Sequence, residues 1–167
     1  MAGVDTAVFN GTAYEERIEA NLKAIIKDIN SGSRYIYELK PQYSYSCGCA
    51  KLNKSGKRKI DFAILKNSVP IIFIELKTQF IPGTVREKLP MVNEEFKSLI
   101  KEKYSAEQYI LLTETSEQFY GYQVFNKMLQ DEKDNDVASK ITHFNNKETE
   151  FFEFINNYLK DDEHANC

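Results

Sequence analysis

The sequence predicts a three-layer α/β fold, in which a central mixed β-sheet is flanked by helices. Segments with helical spacing of apolar residues alternate with short apolar segments typical of strands. One of these, Pro70–Glu75, is a continuous apolar run of the kind found in strands covered on both faces. The 167 residues, 28% of them charged and 42% hydrophobic, fit one domain at residues 1–160, followed by a polar, disordered tail at 161–167.

The first element is predicted to be a helix, because apolar residues recur at helical spacing from Tyr14 to Ile29. Thr12 followed by Glu15 has the pattern of a capping box. Ser31-Gly32-Ser33 is a typical stop signal. The helix should therefore bury one face against the sheet.

Three strands should follow this helix. The first is predicted at Arg34–Ser46, bent at Pro41, and a polar, basic connection at Gly48–Lys59 comes after it. The next two are predicted at Lys59–Leu65 and Val69–Lys77, joined by a short polar link. In the rest of the chain, the pattern predicts a loop at 80–90, a helix to about 103 and a strand at 108–113. A helix at 117–129, a short strand at 137–144 and a closing amphipathic helix at 147–159 are predicted to follow.

Composition excludes several classes of protein. The net charge of −3 differs from the strong basicity of proteins that coat nucleic acid. No apolar run approaches the roughly 20 residues of a membrane span, and the N-terminus lacks the pattern of a secretory signal. A cytoplasmic protein is expected, with Cys47, Cys49 and Cys167 as reduced thiols, and the two histidines are too scattered for a histidine-based metal centre.

The candidate catalytic residues are Asp61, Glu75 and Lys77. Glu75 and Lys77 share one face of a strand, because side chains alternate with a period of two. A hairpin around Asn67 would place Asp61 roughly opposite Glu75, where two carboxylates can share a hard divalent cation. An ammonium group on the same face can position a water molecule or stabilise charge on a phosphate. These are the functions that phosphodiester hydrolysis needs.

The alternative interpretation is that the pattern is accidental, because charged residues are common at strand ends. The sequence contains a second copy, Asp28 followed by Glu38-Leu39-Lys40. That copy lacks the required context, since Asp28 belongs to the end of a helix and not to a neighbouring strand.

Lys59-Ile-Asp61-Phe-Ala-Ile-Leu and Pro70-Ile-Ile-Phe-Ile-Glu75-Leu-Lys77 together resemble the core of the PD-(D/E)XK nuclease superfamily. The resemblance covers residues 11–114, with the departure that isoleucine precedes Asp61 where many members have proline. It implies a restriction-endonuclease-like fold. It also implies a Mg²⁺-dependent endonuclease, with Mn²⁺ as a substitute, that cuts double-stranded DNA as a homodimer, most like a small type II restriction enzyme. Asp61 and Glu75 would be metal ligands and Lys77 the catalytic lysine.

The same resemblance adds a carboxylate from the first helix. Gly11-Thr-Ala-Tyr-Glu15-Glu-Arg-Ile18, with Leu22, is similar to the segment that opens resolvase-type members and selects Glu15 as a third metal ligand. Glu16 and Glu19 are the alternatives, and a simple helix-capping role for Glu15 is another.

Basic and polar residues near these positions are candidates for nucleic-acid binding. They are Lys57, Arg58, Lys59, Gln79 and Arg86. Two other functions stay open: a structure-selective nuclease for junctions, single strands or RNA, and a nuclease-fold module that binds nucleic acid or protein without cutting.

Overall fold

The computed structural model of the chain describes residues 5–46, 57–79, 106–115 and 141–164. These residues form an α/β fold with two helices and a five-stranded sheet. The elements are α1 (Asp5–Gly32), β1 (Tyr37–Ser46), β2 (Lys57–Lys66), β3 (Val69–Gln79), β4 (Gln108–Thr115), β5 (Ile141–Asn145) and α2 (Glu148–His164). The strands lie in the order β1-β2-β3-β4-β5, antiparallel up to β3 and parallel from β3 to β5. The predicted mixed sheet is confirmed.

The hairpin of β2 and β3 turns at Asn67 and Ser68, within the predicted polar link. Both residues have positive φ angles, 48° and 71°, which is the backbone twist that matches a two-residue hairpin turn. The Asn67 side chain accepts a hydrogen bond from the backbone N–H of Ile36 at 3.0 Å, and the Asn67 N–H donates to the Ile36 carbonyl at 2.8 Å. The turn is thus also joined to the start of β1.

Strand β1 forms one edge of the described sheet, which explains how it includes a proline. Pro41 has no N–H to contribute to a ladder, and such residues are confined to edge strands and irregular positions. The next residue, Gln42, has a φ of 49° and falls between the paired positions 41 and 43. The strand begins at Tyr37, later than predicted, because the Ser33 hydroxyl bonds the backbone of Tyr35 in a local turn.

The three parallel strands end at the same edge of the sheet, because β3, β4 and β5 run in one direction. Parallel neighbours need long crossover connections. Those connections, with the helices predicted near 90–103 and 117–129, lie outside the described residues, and so do the three cysteines.

Both described helices pack on one face of the sheet, in a common apolar core. Its fully buried members come from α1, the central strands and α2: Ile18, Leu22, Ile64, Ile72, Ile74, Ile110, Phe151, Ile155 and Leu159. The predicted apolar face of α1 is confirmed, but the helix begins at Asp5 and not after Thr12. The pattern used for the prediction began at Tyr14, so it gave a shorter helix than the observed one. Neither described helix is long and apolar enough to cross a membrane.

The last turn of α2 is attached to the sheet by a charged contact. Asp162 accepts hydrogen bonds from the Tyr37 hydroxyl and the Lys66 ammonium, each at 2.7 Å. Burial and this contact raise the pKa of Tyr37 above its usual value, so the hydroxyl keeps the proton that it donates. The helix therefore continues past the predicted end at Leu159 to His164.

The substitution Asp162→Asn should destabilise the protein by about 1–3 kcal/mol, because it leaves the poorly exposed Lys66 ammonium without its carboxylate. Asp161→Asn, an exposed neighbour on the same helix, should change stability by less than about 0.5 kcal/mol. Urea unfolding monitored by circular dichroism measures both. Equal effects of the two substitutions would contradict a specific role for Asp162.

Candidate active site

The Asp61 carboxylate lies where β2 and β3 stop pairing. Phe62 pairs with Ile74 at the end of their ladder, and this register puts Asp61 beside Glu75. One carboxylate oxygen of Asp61 accepts a hydrogen bond from the backbone N–H of Leu76 at 2.7 Å. The side chain thus takes the place of a backbone acceptor, and its position relative to β3 is fixed.

Glu75 and Lys77 follow one another on the same face of β3 and form an ion pair there. The Lys77 ammonium donates to the Glu75 carboxylate and to the Leu76 carbonyl, the latter at 2.9 Å. Only 18% of the Glu75 side chain and 20% of the Lys77 side chain are exposed. A charged pair in this position is shielded from water more than a surface pair, so its interactions with a ligand are stronger.

Glu15 on α1 interacts electrostatically with Asp61 and Lys77. Burial raises the pKa of Glu15, and the Asp61 carboxylate raises it further, while the Lys77 ammonium lowers it and Glu19 raises it. Glu15 is therefore within electrostatic reach of both strand residues. Glu16 is exposed and Glu19 forms an ion pair with Lys23, so Glu15 is the acidic residue of this part of α1 whose pKa responds to Asp61 and Lys77.

The donor set fits a hard divalent cation. Glu15, Asp61 and Glu75 offer carboxylate oxygens, the ligands that Mg²⁺ and Mn²⁺ prefer. Burial is the largest cause of the raised pKa of Glu15 and the Asp61 carboxylate adds to it, and a nearby cation would favour the charged form of Glu15 against both. Among the described residues, no three acidic, histidine or cysteine side chains are already grouped as in a metal centre. A cation would therefore have to draw the carboxylates together.

The chain matches no protein-family model, no curated protein and no solved structure. The interpretation of Asp61, Glu75 and Lys77 therefore depends on their own geometry and chemistry. They lie on β2 and β3 at the edge where the parallel strands end, which is where open α/β sheets bind ligands.

Some of the residues predicted to bind nucleic acid belong to a different structural element from the one predicted. Lys57, Arg58 and Lys59 belong to β2 and pair with the end of β1. The prediction that Lys57 and Arg58 lie in the connection before the strand is wrong, whereas Lys59 was predicted as the start of the strand. The β1–β2 ladder extends further than the apolar pattern indicates, because its last pairs are polar. Lys59 is exposed, Gln79 is the last residue of β3, and Arg86 lies outside the described residues.

A buried polar group beside Lys77 was not predicted from the sequence. Thr113 of β4 is fully buried and pairs in register with both Lys77 and Asn145. Its hydroxyl lies 2.9 Å from His143 Nε2, 3.0 Å from Asn145 Oδ1 and 3.3 Å from the Phe144 carbonyl. The available signal was the placement of His143 and Asn145 two residues apart on a strand, hence on one face.

The number of available protons determines which atoms around Thr113 donate hydrogen bonds and which accept them. The Thr113 hydroxyl has one proton, and the Phe144 carbonyl can only accept. Burial lowers the pKa of His143 to about 4, so its ring is neutral near pH 7. A neutral ring that donates from Nε2 leaves the single hydroxyl proton for either the Phe144 carbonyl or Asn145 Oδ1.

Glu15→Gln should stabilise the protein at pH 7 by up to about 1 kcal/mol, because it removes a carboxylate that burial and Asp61 disfavour. The gain should disappear below pH 4.5, the usual pKa of this group, where Glu15 is protonated in both the folded and the unfolded chain. Urea unfolding at pH 7 and pH 4 tests this. A loss of stability at pH 7 would show that Glu15 makes a favourable contact instead.

His143 should make the protein sensitive to mild acid. The unfolded chain binds a proton below pH 6.5, whereas folded His143 does so only near pH 4. Stability should therefore fall by about 3 kcal/mol between these values, at 1.36 kcal/mol per pKa unit. In His143→Gln the decrease over the same pH range should be smaller by this amount. Parallel pH profiles of unfolding free energy would contradict the assignment.

Proposed function

We propose that the protein is a metal-dependent endonuclease that hydrolyses phosphodiester bonds in DNA. The observation that supports this most is the convergence of Asp61, Glu75 and Lys77 on one face at the junction of β2 and β3, with Glu15 close by on α1. The proposed architecture is the three-layer restriction-endonuclease-like fold of the PD-(D/E)XK superfamily. Its third layer would cover the face of the sheet opposite α1 and α2.

Asp61, Glu75 and Glu15 would hold Mg²⁺, or Mn²⁺ in its place. The cation supplies a water of lowered pKa and screens the charge of the phosphate. Asp61 keeps its place through the Leu76 N–H. Lys77, which is held beside the carboxylates, presents a positive charge to the phosphate oxygens and stabilises the charge that develops there.

The arrangement favours hydrolysis over binding alone. Clustering Glu15 with the Asp61 carboxylate has an electrostatic cost in the free protein, and groups with perturbed pKa values are typical of active sites. A module that only binds nucleic acid needs positive charge and no carboxylates facing the phosphate. A homodimer is proposed with this function, because two subunits with one site each can cut both strands of a duplex.

Lys77→Ala should reduce metal-dependent cleavage of plasmid DNA by about 10²–10⁴-fold, the range for removal of a group that acts directly in the transition state. The matched control is Lys40→Ala. Lys40 follows Glu38 with the same spacing and is paired with it on β1, but its side chain is 45% exposed. The control should cleave at nearly the wild-type rate, and gel assays in Mg²⁺, Mn²⁺ and EDTA measure all three proteins.

Calorimetric titration with Mn²⁺ separates the proposed enzyme from a binding module. Wild type should bind the cation, and Asp61→Asn should abolish or strongly weaken that binding. The proposal fails if wild type cuts no plasmid, branched or single-stranded substrate and if Asp61→Asn leaves any cation binding unchanged.

A further inference from the structure

Thr113, on β4, lies beside Lys77 on the face of the sheet opposite α1 and α2. The two residues are partners in the parallel register of β3 and β4, and neighbouring strands lie about 4.8 Å apart. The core packed against the helices contains Leu76 and Leu112, the residues that precede Lys77 and Thr113. Because side chains alternate along a strand, Lys77 and Thr113 both point away from that core.

The Thr113 hydroxyl is unusual for its position. Thr113 is fully buried, and no other buried residue in the described parts of the chain has a polar or charged side chain, tyrosines apart. Tyr109 and Leu111, its buried neighbours on the same face of β4, are aromatic and aliphatic. A buried hydroxyl costs free energy unless it is hydrogen-bonded, so valine would fill this position at no greater cost. Packing alone therefore does not account for the hydroxyl.

Three groups of β5 hold the Thr113 hydroxyl. It lies 2.9 Å from His143 Nε2, 3.0 Å from Asn145 Oδ1 and 3.3 Å from the Phe144 carbonyl. These contacts restrict rotation about the Thr113 Cα–Cβ bond, which a branched side chain already limits. Because β4 lies between β3 and β5, the Thr113 side chain is fixed from the side away from Lys77.

Lys77 needs a fixed neighbour because a lysine side chain is flexible. Its four-carbon stem has many conformations, and the freedom lost on folding opposes any single position of the ammonium group. The Lys77 ammonium donates to Glu75 and to the Leu76 carbonyl, and only 20% of the side chain is exposed. These bonds hold the end of the side chain, whereas the register places Thr113 along its stem.

We propose that Thr113 is a positioning residue for Lys77, and that its hydrogen bonds to β5 keep the Lys77 ammonium in place to act on the phosphate. The inference rests on the proposed nuclease function and adds a residue that acts through Lys77 without touching the substrate. Active sites require such support, because a displacement of about 1 Å can cost about 100-fold in rate. The effect is therefore on kcat and not on KM.

The test compares three single substitutions in the full chain. Thr113→Val keeps the shape of the side chain and removes its hydroxyl, so kcat for metal-dependent DNA cleavage should fall about 10–100-fold with KM unchanged. Thr113→Ser retains the hydroxyl and should keep most of the wild-type kcat. Thr142→Val is the matched control, because Thr142 is half-buried on the opposite face of β5 from His143, and its kcat should equal that of wild type.

Circular dichroism first establishes that each variant is folded. If Thr113→Val does not fold, Asn145→Leu takes its place, because it removes one partner of the hydroxyl at a half-buried position. The same fall in kcat is then expected. A wild-type kcat in the variant that lacks the hydroxyl or its partner would overturn the positioning role, and so would an equal loss in Thr113→Ser or Thr142→Val.

NMR separates this proposal from the nuclease function. Relaxation of the Lys77 ε-carbon measures how firmly the side chain is held, without substrate or metal. Thr113→Val should increase the mobility of Lys77, and Thr142→Val should leave it unchanged. That result, without cleavage by wild type, would overturn the nuclease and leave Thr113 as the residue that orders Lys77. Cleavage by wild type, with unchanged Lys77 mobility in Thr113→Val, would overturn the positioning role and leave the nuclease.

Discussion

The hydrogen bond from the Leu76 N–H to the Asp61 carboxylate determines the geometry of the candidate site. Two antiparallel strands separate at this point, and a backbone N–H there would otherwise lack its ladder partner. A charged acceptor forms a stronger bond than a carbonyl does, so Asp61 both ends the ladder and fixes its own carboxylate beside Glu75. On the other side of Asp61, the β1–β2 register continues unbroken, and Gln42, with a φ of 49°, lies between the paired positions 41 and 43.

The same edge of the sheet concentrates groups that are unfavourable for the free protein. Burial raises the pKa of Glu15 and lowers that of His143 to about 4, so both lose hydration on folding. The apolar core on the α1 and α2 face offsets this cost, because its central residues are completely buried. The apolar core therefore stabilises a fold that places these ionisable groups at one edge of the sheet.

Whether a feature of the structure could be predicted from the sequence depends on whether it is formed by residues close together in the chain. The hairpin itself follows from the polar turn and the alternation of side chains, so the sequence could place Asp61 roughly opposite Glu75. The final register does not follow from the turn alone, because pairing from Lys66 and Val69 shifts by one residue between Ile64 and Leu65. The group around Thr113 and His143 depends on parallel pairing of β4 with β5, which joins residues 30 apart in the chain. No turn specifies that register. The length of α1 also escaped prediction, because the apolar pattern and the capping signal both place the helix start near Thr12, whereas α1 begins at Asp5.

The two Glu-X-Lys segments show that their spacing alone does not determine how exposed the ion pair is. Glu38 and Lys40 form the same ion pair on β1 as Glu75 and Lys77 form on β3. The first pair is nearly half exposed at an edge of the described sheet, whereas the second is about one-fifth exposed beside a parallel neighbour. Water screens the first pair strongly and the second much less. The position of a strand within the sheet therefore separates a surface ion pair from a group able to stabilise charge on a substrate.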